Sequence, residues 1–212
     1  MTKNEFQRLH SSMDSLINAR TMYTLMRALY DTPQYNPDFD EIRDMFSDGQ
    51  IVSKQWLIRN AFQDISLDNK ILIVGGWYGL LAKMINEYDY CQYVHTTDMD
   101  PRCKTIFDNS WANDKISAST NNMFDIDYHN HNFDIIVNTS MEHLTDPSNW
   151  LRLLPAGQKV VLQSNNYDAI DDHVSCVKSV GEFVKQTKLS NVTFADELVF
   201  PMYTRYMIIG TV

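Results

Sequence analysis

The feature that most constrains the fold is a short apolar run, ILIV at residues 71–74, which two glycines follow directly. A continuous apolar run of this length is typical of a parallel strand that other elements cover on both faces. After this run, apolar strand-like segments alternate with segments of helical periodicity. The alternation predicts an α/β fold with a doubly wound sheet, because right-handed crossovers place helices on both faces.

The alternation continues to the end of the chain and gives seven strands. The predicted strands are 71–75, 92–97, 115–120, 133–138, 158–164, 191–200 and 203–211, and the predicted helices are 79–88, 101–110, 147–154 and 178–187. Only a few residues around Pro201 join the last two strands, whereas a parallel crossover needs about a dozen or more. We therefore expect a Rossmann-like, mostly parallel sheet that ends in an antiparallel C-terminal hairpin.

The segment before the first strand carries helical periodicity and no strand pattern. DTPQYNP at 31–37 breaks it, SDG at 47–49 is expected to form a turn, and Ser53 is expected to cap a helix that reaches Phe62. We expect residues 1–66 to form a helical cap over the ligand-binding edge of a domain formed by residues 67–212.

Composition argues against several kinds of partner. The net charge of -9 opposes the counterion release by which basic proteins bind phosphate backbones, so we expect no nucleic-acid partner. No apolar run approaches the roughly 18 residues of a membrane helix, and the polar start lacks the apolar centre of a signal peptide. We therefore expect a cytoplasmic protein with no membrane partner. The composition leaves the oligomeric state open.

The candidate binding site begins at GGWYG, residues 75–79, directly after the first strand. Glycines in such a turn let the backbone approach a ligand, although a tight strand-to-helix connection needs them equally. Asp98 ends the second strand about 20 residues later, where an acid accepts hydrogen bonds from the ribose of an adenosine. Asp98 is also a possible helix cap, but Asp100 directly precedes Pro101 and suits that role better. The turn and Asp98 together indicate an adenosine-containing cofactor, either NAD or S-adenosylmethionine.

Over residues 70–212 the chain resembles the class I S-adenosylmethionine-dependent methyltransferases. IVGGWYGLLAKMI resembles their glycine loop and first helix, and TTDMDP resembles their ribose-binding acid segment. FDIIVNTSMEHLTD is similar to their fourth strand and the Glu-His pair after it, and LLPAGQKVVLQSN to their turn into strand five. The resemblance implies S-adenosylmethionine as the cofactor and in-line transfer of its methyl group to a small molecule or a side chain.

The resemblance also implies which residues form the site. The implied cofactor-binding residues are Gly75, Gly76, Trp77, Gly79, Asp98, Met99, Asn122, Met123, Asn138 and Lys54. The implied catalytic residues lie over the transferred methyl group and are His143, Glu142 and Asn165. Either His143 or Glu142 would remove a proton from the acceptor, and a loop-fixing hydrogen bond explains His143 equally well.

Two positions depart from the family pattern. Trp77 stands at the usual middle glycine of the loop, and Ile73 stands where an acid commonly ends the first strand and helps to hold the cofactor's amino group. Lys54 or Ser53 would supply the missing polar contact, although a solvent-exposed lysine on an amphipathic helix fits Lys54 as well.

No metal ion is expected. HNH at 129–131 lies among several aspartates, but no paired ligand spacing supports a closed metal site there, so a polar loop is the preferred interpretation.

Two other functions stay open. An NAD-dependent oxidoreductase would use the same glycines and Asp98, but the terminal hairpin and the lack of a recognisable Tyr-x-x-x-Lys pair count against it. A catalytically inactive binding or regulatory protein with a methyltransferase fold would explain the departures at Trp77 and Ile73.

Overall fold

The computed structural model describes residue 41 and residues 44–62, 65–88 and 90–212. The helices predicted before residue 41 and the break at 31–37 lie outside the described residues. In the part of the chain that is described, no helix is both long and apolar enough to cross a bilayer.

A seven-stranded sheet forms the centre of the molecule. The strands are β1 (Lys70–Val74), β2 (Tyr93–Asp98), β3 (Ile116–Thr120), β4 (Ile135–Asn138), β5 (Lys159–Asn165), β6 (Asn191–Val199) and β7 (Thr204–Thr211). The α-helices in the described ranges are α1 (Asp48–Ala61), α2 (Leu80–Glu87), α3 (Pro101–Ser110), α4 (Pro147–Leu151) and α5 (Val180–Thr187). The predicted alternation of strands and helices is confirmed.

The strands follow the order β3-β2-β1-β4-β5-β7-β6. β1 to β5 run parallel, whereas β7 pairs antiparallel with both β5 and β6. The chain winds outward from β1 to β3, then restarts on the other side of β1 at β4. This reversal is the switch point of a doubly wound sheet, beside which ligands bind at the carboxyl ends of the strands. The Rossmann-like fold and the antiparallel hairpin are therefore confirmed.

The apolar run in β1 is continuous because the two faces of the sheet belong to two separate cores. Ile71 and Ile73 pack with residues of α1, α2 and α3 on one face. Leu72 and Val74 pack with residues of α4 and α5 on the other. Since successive side chains of a strand point to opposite faces, a strand covered on both must be apolar at every position.

The start of α1 differs from the prediction. Ser47 is the N-cap and its hydroxyl accepts a hydrogen bond from the Gln50 amide at 3.4 Å, so SDG forms the cap and first turn of the helix. Ser53 lies inside α1, buried, and its hydroxyl donates to the Gly49 carbonyl one turn earlier. The predicted cap at Ser53 is wrong because the earlier serine already satisfies the free amides at the helix start.

Candidate active site

In the turn after β1, side chains of neighbouring elements lie very close to the glycine backbone. A Cβ on Gly76 would lie 1.9 Å from Oγ1 of Thr96, and a Cβ on Gly79 would lie 2.2 Å from the ring of Phe107. Gly75 and Gly79 also have positive φ angles, 62° and 81°. Glycine is therefore required here by the turn itself, which brings the start of α2 close to β2 and α3.

Trp77 adopts a backbone conformation that favours glycine. Its φ is 49°, in the left-handed region. The indole is partly buried and stacks on the ring of Tyr78, with centroids 4.9 Å apart and planes 25° apart. The position therefore has a backbone conformation that glycine adopts more readily, although it carries an indole.

Asp98 faces this turn. Its Oδ2 accepts a hydrogen bond from the Trp77 amide at 2.8 Å, and its Oδ1 accepts from the Asp100 amide at 3.1 Å. Asp100 is the N-cap of α3, where it accepts from the Arg102 amide at 2.9 Å. The helix-cap role therefore belongs to Asp100, as the sequence indicated, and Asp98 is left to join the ends of β1 and β2.

The loops after β3 and β4 meet the same turn. A Cβ on Gly75 would lie 3.7 Å from Cε of Met123 and from Cβ of Ser140. The Asn138 amide donates to the Met123 sulfur at 3.7 Å, and its oxygen accepts from the Ser140 amide at 2.8 Å. The glycine turn, the segment after β3 and the end of β4 thus form one continuous edge.

Two other predicted cofactor residues lie on the outer side of this edge. The Asn122 oxygen accepts from the Phe124 amide at 3.0 Å and so caps a short 3-10 helix, Met123–Asp125. Met99 is 73% exposed and Phe124 is 43% exposed, which leaves apolar surface available beside Asp98 and Asn122. Their contacts with a cofactor stay predictions.

The end of β5 holds a buried polar cluster. Glu142 Oε1 accepts from the Asn165 amide nitrogen and from Arg205 Nη1, the latter at 3.2 Å. Arg205 Nη1 also donates to the Thr139 carbonyl at 3.4 Å. The side chains of Glu142 and Arg205 are only 4% and 8% exposed, yet Glu142 Oε2 and Arg205 Nε have no hydrogen-bond partner among the described residues. Buried polar atoms without a partner are rare in folded proteins, which makes this cluster a candidate functional site.

Lys54 lies near this cluster, away from the end of β1, where its contact with the cofactor was predicted. Its ammonium group donates to the Gln50 side chain, and Arg205 and Glu142 are the charged groups that act on it. Burial, and secondarily the positive charge of Arg205, lower the pKa of Lys54 to about 7, against a smaller opposing effect of Glu142. The amine therefore exchanges its proton near neutral pH. Its predicted contact with the cofactor is not shown.

His143 lies at the surface of the rim, with its side chain 39% exposed. Its Nδ1 is 3.2 Å from the main-chain oxygen of Asp172 and 3.3 Å from the carboxylate of Asp172. The ring of His173 meets it edge-on, with centroids 4.7 Å apart. These contacts hold His143 in place, and its role as a proton acceptor stays a prediction, like those of Glu142 and Asn165.

Two residues of the rim were missed or given no role by the sequence reasoning. Arg205 directly precedes the apolar run YMIIG within β7, and a charge inside a buried strand is a signal that could have found it. His173 lies in the loop after β5, and nothing in its local sequence pairs it with His143, 30 positions earlier.

Comparison with known proteins gives the class of the fold. No protein-family model matches the chain, and no curated protein matches it. The chain is similar to the putative methyltransferase of Haloferax volcanii in complex with the Trm112 methyltransferase activator, with 13% identity, a TM-score of 0.59, and coverage of 77% of this chain and 92% of that one.

Two further solved structures are similar to the chain. One is geranyl diphosphate C-methyltransferase from Streptomyces coelicolor in complex with Mg2+, geranyl diphosphate and S-adenosyl-L-homocysteine, with 12% identity, a TM-score of 0.60, and coverage of 81% and 83%. The other is the N-methyltransferase NodS from Bradyrhizobium japonicum, with 13% identity, a TM-score of 0.56, and coverage of 76% and 96%. At these identities the likeness concerns the fold: the chain has the fold of the class I S-adenosylmethionine-dependent methyltransferases.

Proposed function

We propose that the chain binds S-adenosylmethionine along the carboxyl edge of its sheet and transfers the methyl group to a small molecule or a side chain. The observation that carries the proposal is the continuous edge from Asp98 to Asn138. Asp98 is bonded to the glycine turn, the turn contacts Met123, and Met123 contacts Asn138. Solved methyltransferases with this fold, which were crystallised with S-adenosylhomocysteine, support the choice of cofactor.

The residues at this edge fit an adenosyl group. The turn at Gly75 and Gly76 leaves backbone instead of side chains where the cofactor would pass. A carboxylate at Asp98 suits a ribose with two hydroxyl donors, and the exposed side chains of Met99 and Phe124 suit the apolar faces of adenine. The Trp77 amide donates to Asp98, so the turn stays bonded to the acid at the end of β2 although an indole stands in it.

The cofactor brings its methyl group already activated on a sulfonium. The acceptor's lone pair forms the new bond to carbon while the S–CH3 bond breaks, its electron pair stays on sulfur, and the acceptor's proton passes to a base or to water. Catalysis then depends mainly on proximity and in-line orientation, so the chain needs few reacting side chains. The buried polar cluster at β5 is the part of the edge that we assign to the acceptor.

Thermal melting of the full chain with S-adenosylmethionine, S-adenosylhomocysteine and NAD tests the proposal. A ligand at one hundred times its Kd stabilises the folded state by about 2.7 kcal/mol. We expect the first two ligands to raise the melting temperature and NAD at equal concentration to leave it unchanged. An equal or larger shift with NAD would favour the oxidoreductase, and no shift with any ligand would overturn the proposal.

A further inference from the structure

Three metal-binding side chains meet at the rim beside the buried cluster. Glu142, His143 and His173 each offer one ligating atom, and these atoms lie within 4.8 Å of one another. The first two lie in a short 3-10 helix after β4, Met141–His143, and the third lies in the loop after β5. Ser175 ties this loop to the 3-10 helix, since its amide donates to the Glu142 carbonyl at 3.0 Å.

Both imidazoles are held by the same nitrogen. His143 Nδ1 meets the main-chain oxygen of Asp172, and His173 Nδ1 meets the main-chain oxygen of Tyr167. A carbonyl oxygen only accepts, so Nδ1 carries the hydrogen in each ring and Nε2 keeps its lone pair. Metal-binding histidines are fixed in this way, with one nitrogen on a carbonyl or carboxylate and the other on the ion.

The third ligand is a carboxylate with one oxygen already held. Asn165 and Arg205 fix Oε1 of Glu142, whereas the buried Oε2 has no hydrogen-bond partner among the described residues. A buried carboxylate oxygen without a partner is costly, and a cation is a partner that would satisfy it.

We propose that Glu142 and the Nε2 atoms of His143 and His173 bind a zinc-like divalent transition ion. Two histidines and one carboxylate are a ligand set of catalytic zinc sites, which keep a fourth position open. Ligands in a tetrahedral zinc site are about 3.3 Å apart, whereas these atoms lie within 4.8 Å of one another, so binding requires the surface side chain of His143 to move toward the ion.

The surrounding charges set the limits of this site. Arg205 opposes a cation, and Lys54 does so when it carries its proton. The Asp172 carboxylate, 3.3 Å from His143 Nδ1, offsets part of this repulsion and makes the imidazole a better ligand.

The ion gives the acceptor a chemical class, and this step depends on the proposed function. A hydroxyl at the open position has a lowered pKa and releases its proton to water. The oxygen lone pair then forms the C–O bond as the S–CH3 bond breaks with its electron pair left on sulfur. With an alcohol or phenol as the acceptor, the products are a methyl ether and S-adenosylhomocysteine, with one proton released.

Metal titration of the chelator-treated full chain tests the site without any acceptor. We expect one Co2+ to bind per chain, with visible absorption, and Zn2+ to displace it. His143→Ala and His173→Ala should each weaken binding by more than about a hundredfold, beyond the loss that an outer partner of a ligand causes. His129→Ala is the matched control and should bind like the wild type. Cys176→Ser should also bind like the wild type, because its thiol lies 3.9 Å from Nδ1 of His173, the nitrogen that faces away from the ion.

Absence of stoichiometric binding, or equal affinity in His143→Ala, would overturn the inference. If circular dichroism shows that His173→Ala is unfolded, the metal affinity of His143→Ala, at the exposed residue, decides alone. Titration of the same samples with S-adenosylhomocysteine separates the two proposals. A chain that binds the cofactor normally but binds no metal would reject only the metal site. A chain that binds metal but no cofactor would reject the proposed function.

Discussion

The carboxyl ends of β1, β2 and β3 lie on the same edge of the sheet as the carboxyl ends of β4 and β5 and the start of β7, but the two halves of this edge are built from different groups. In the first half, main-chain amides and glycines form the surface, with Asp98 as the charged group bonded to the turn. In the second half, Glu142 and Arg205 form a buried ion pair, and the partly buried Lys54 lies close enough for both charges to act on it. We assign the first half to a cofactor of fixed shape and the second half to the chemistry of the acceptor.

The halves also differ in how their stability depends on partners. Contacts in the cofactor half are made mainly by short turns, so each residue can be changed with a local effect. Charges in the acceptor half depend on each other, because a buried charge that loses its partner is strongly destabilising. Substitution of Asp98 in the cofactor half should therefore change ligand affinity, whereas substitution of the buried charges in the acceptor half should mainly change folding stability.

The largest expected effect is that of Glu142→Leu. This change leaves the Arg205 guanidinium buried without its carboxylate and should lower the free energy of unfolding by about 3 to 5 kcal/mol. Urea unfolding in the presence of a chelator measures it without a metal contribution. The double variant with Arg205→Met should recover most of the loss. A single variant as stable as the wild type would show that the pair is not the basis of the cluster.

The next effect lies in the cofactor half and compares two glycines. Gly79 and Gly157 have nearly equal φ angles, 81° and 82°, but a Cβ meets the Phe107 ring at Gly79 and nothing within 4 Å at Gly157. Gly157→Ala should cost about 1 to 2 kcal/mol of stability, from backbone strain alone. Gly79→Ala should cost that amount and about 1 to 3 kcal/mol more, from overpacking. Equal losses in urea unfolding would contradict the close approach of α2 to α3.

The two halves were also unequally predictable from the sequence. The turn at Gly75 and the acid at Asp98 could be found because each lies in a short segment whose spacing reflects one strand and the turn after it. The cap at Asp100 was found for the same reason. The contact of Glu142 with Arg205 spans 63 positions and depends on the insertion of β7 between β5 and β6, which no local pattern encodes. Ser53 was misassigned because a serine inside a helix and a serine that caps one look alike until the neighbouring Ser47 is placed.

Asp98→Ala should weaken cofactor affinity, and the loss of the hydrogen bonds from the Trp77 and Asp100 amides should also lower stability. Loss of hydrogen bonds to a charged group costs about 1.5 to 3 kcal/mol, so calorimetry should show S-adenosylhomocysteine binding weakened by about tenfold to a hundredfold. Asp100→Ala is the matched control, because it removes a helix cap at the same strand end. It should cost about 1 kcal/mol of stability and leave the affinity unchanged. The same affinity loss in both variants would mean that Asp98 has no direct contact with the cofactor.

The last expected effect is the pH dependence of stability that Lys54 contributes. The folded chain holds the proton of the Lys54 ammonium group only below about pH 7, whereas the unfolded chain holds it up to a pKa near 10.5. Between these values the unfolded state binds more protons than the folded state. The contribution of Lys54 to the free energy of unfolding therefore rises with pH. Below pH 7 the folded chain must hold the charged ammonium, which lowers the free energy of unfolding by the full amount. Lys54→Met should therefore stabilise most at pH 6 and progressively less toward pH 10. Urea unfolding of both proteins at several pH values measures the difference, and a difference that does not vary with pH would contradict the buried amine.

A crystal structure with S-adenosylhomocysteine tests the division of the edge most directly. We expect the ribose hydroxyls to contact Asp98 and adenine to lie against Met123. We expect the sulfur to face the cluster of Glu142 and Asn165 across an open space. Two results would contradict this expectation. One is a cofactor bound at the opposite end of the strands, in the groove beside Lys70, Tyr93 and Phe133. The other is a cofactor bound at the carboxyl edge with its sulfur facing away from Glu142.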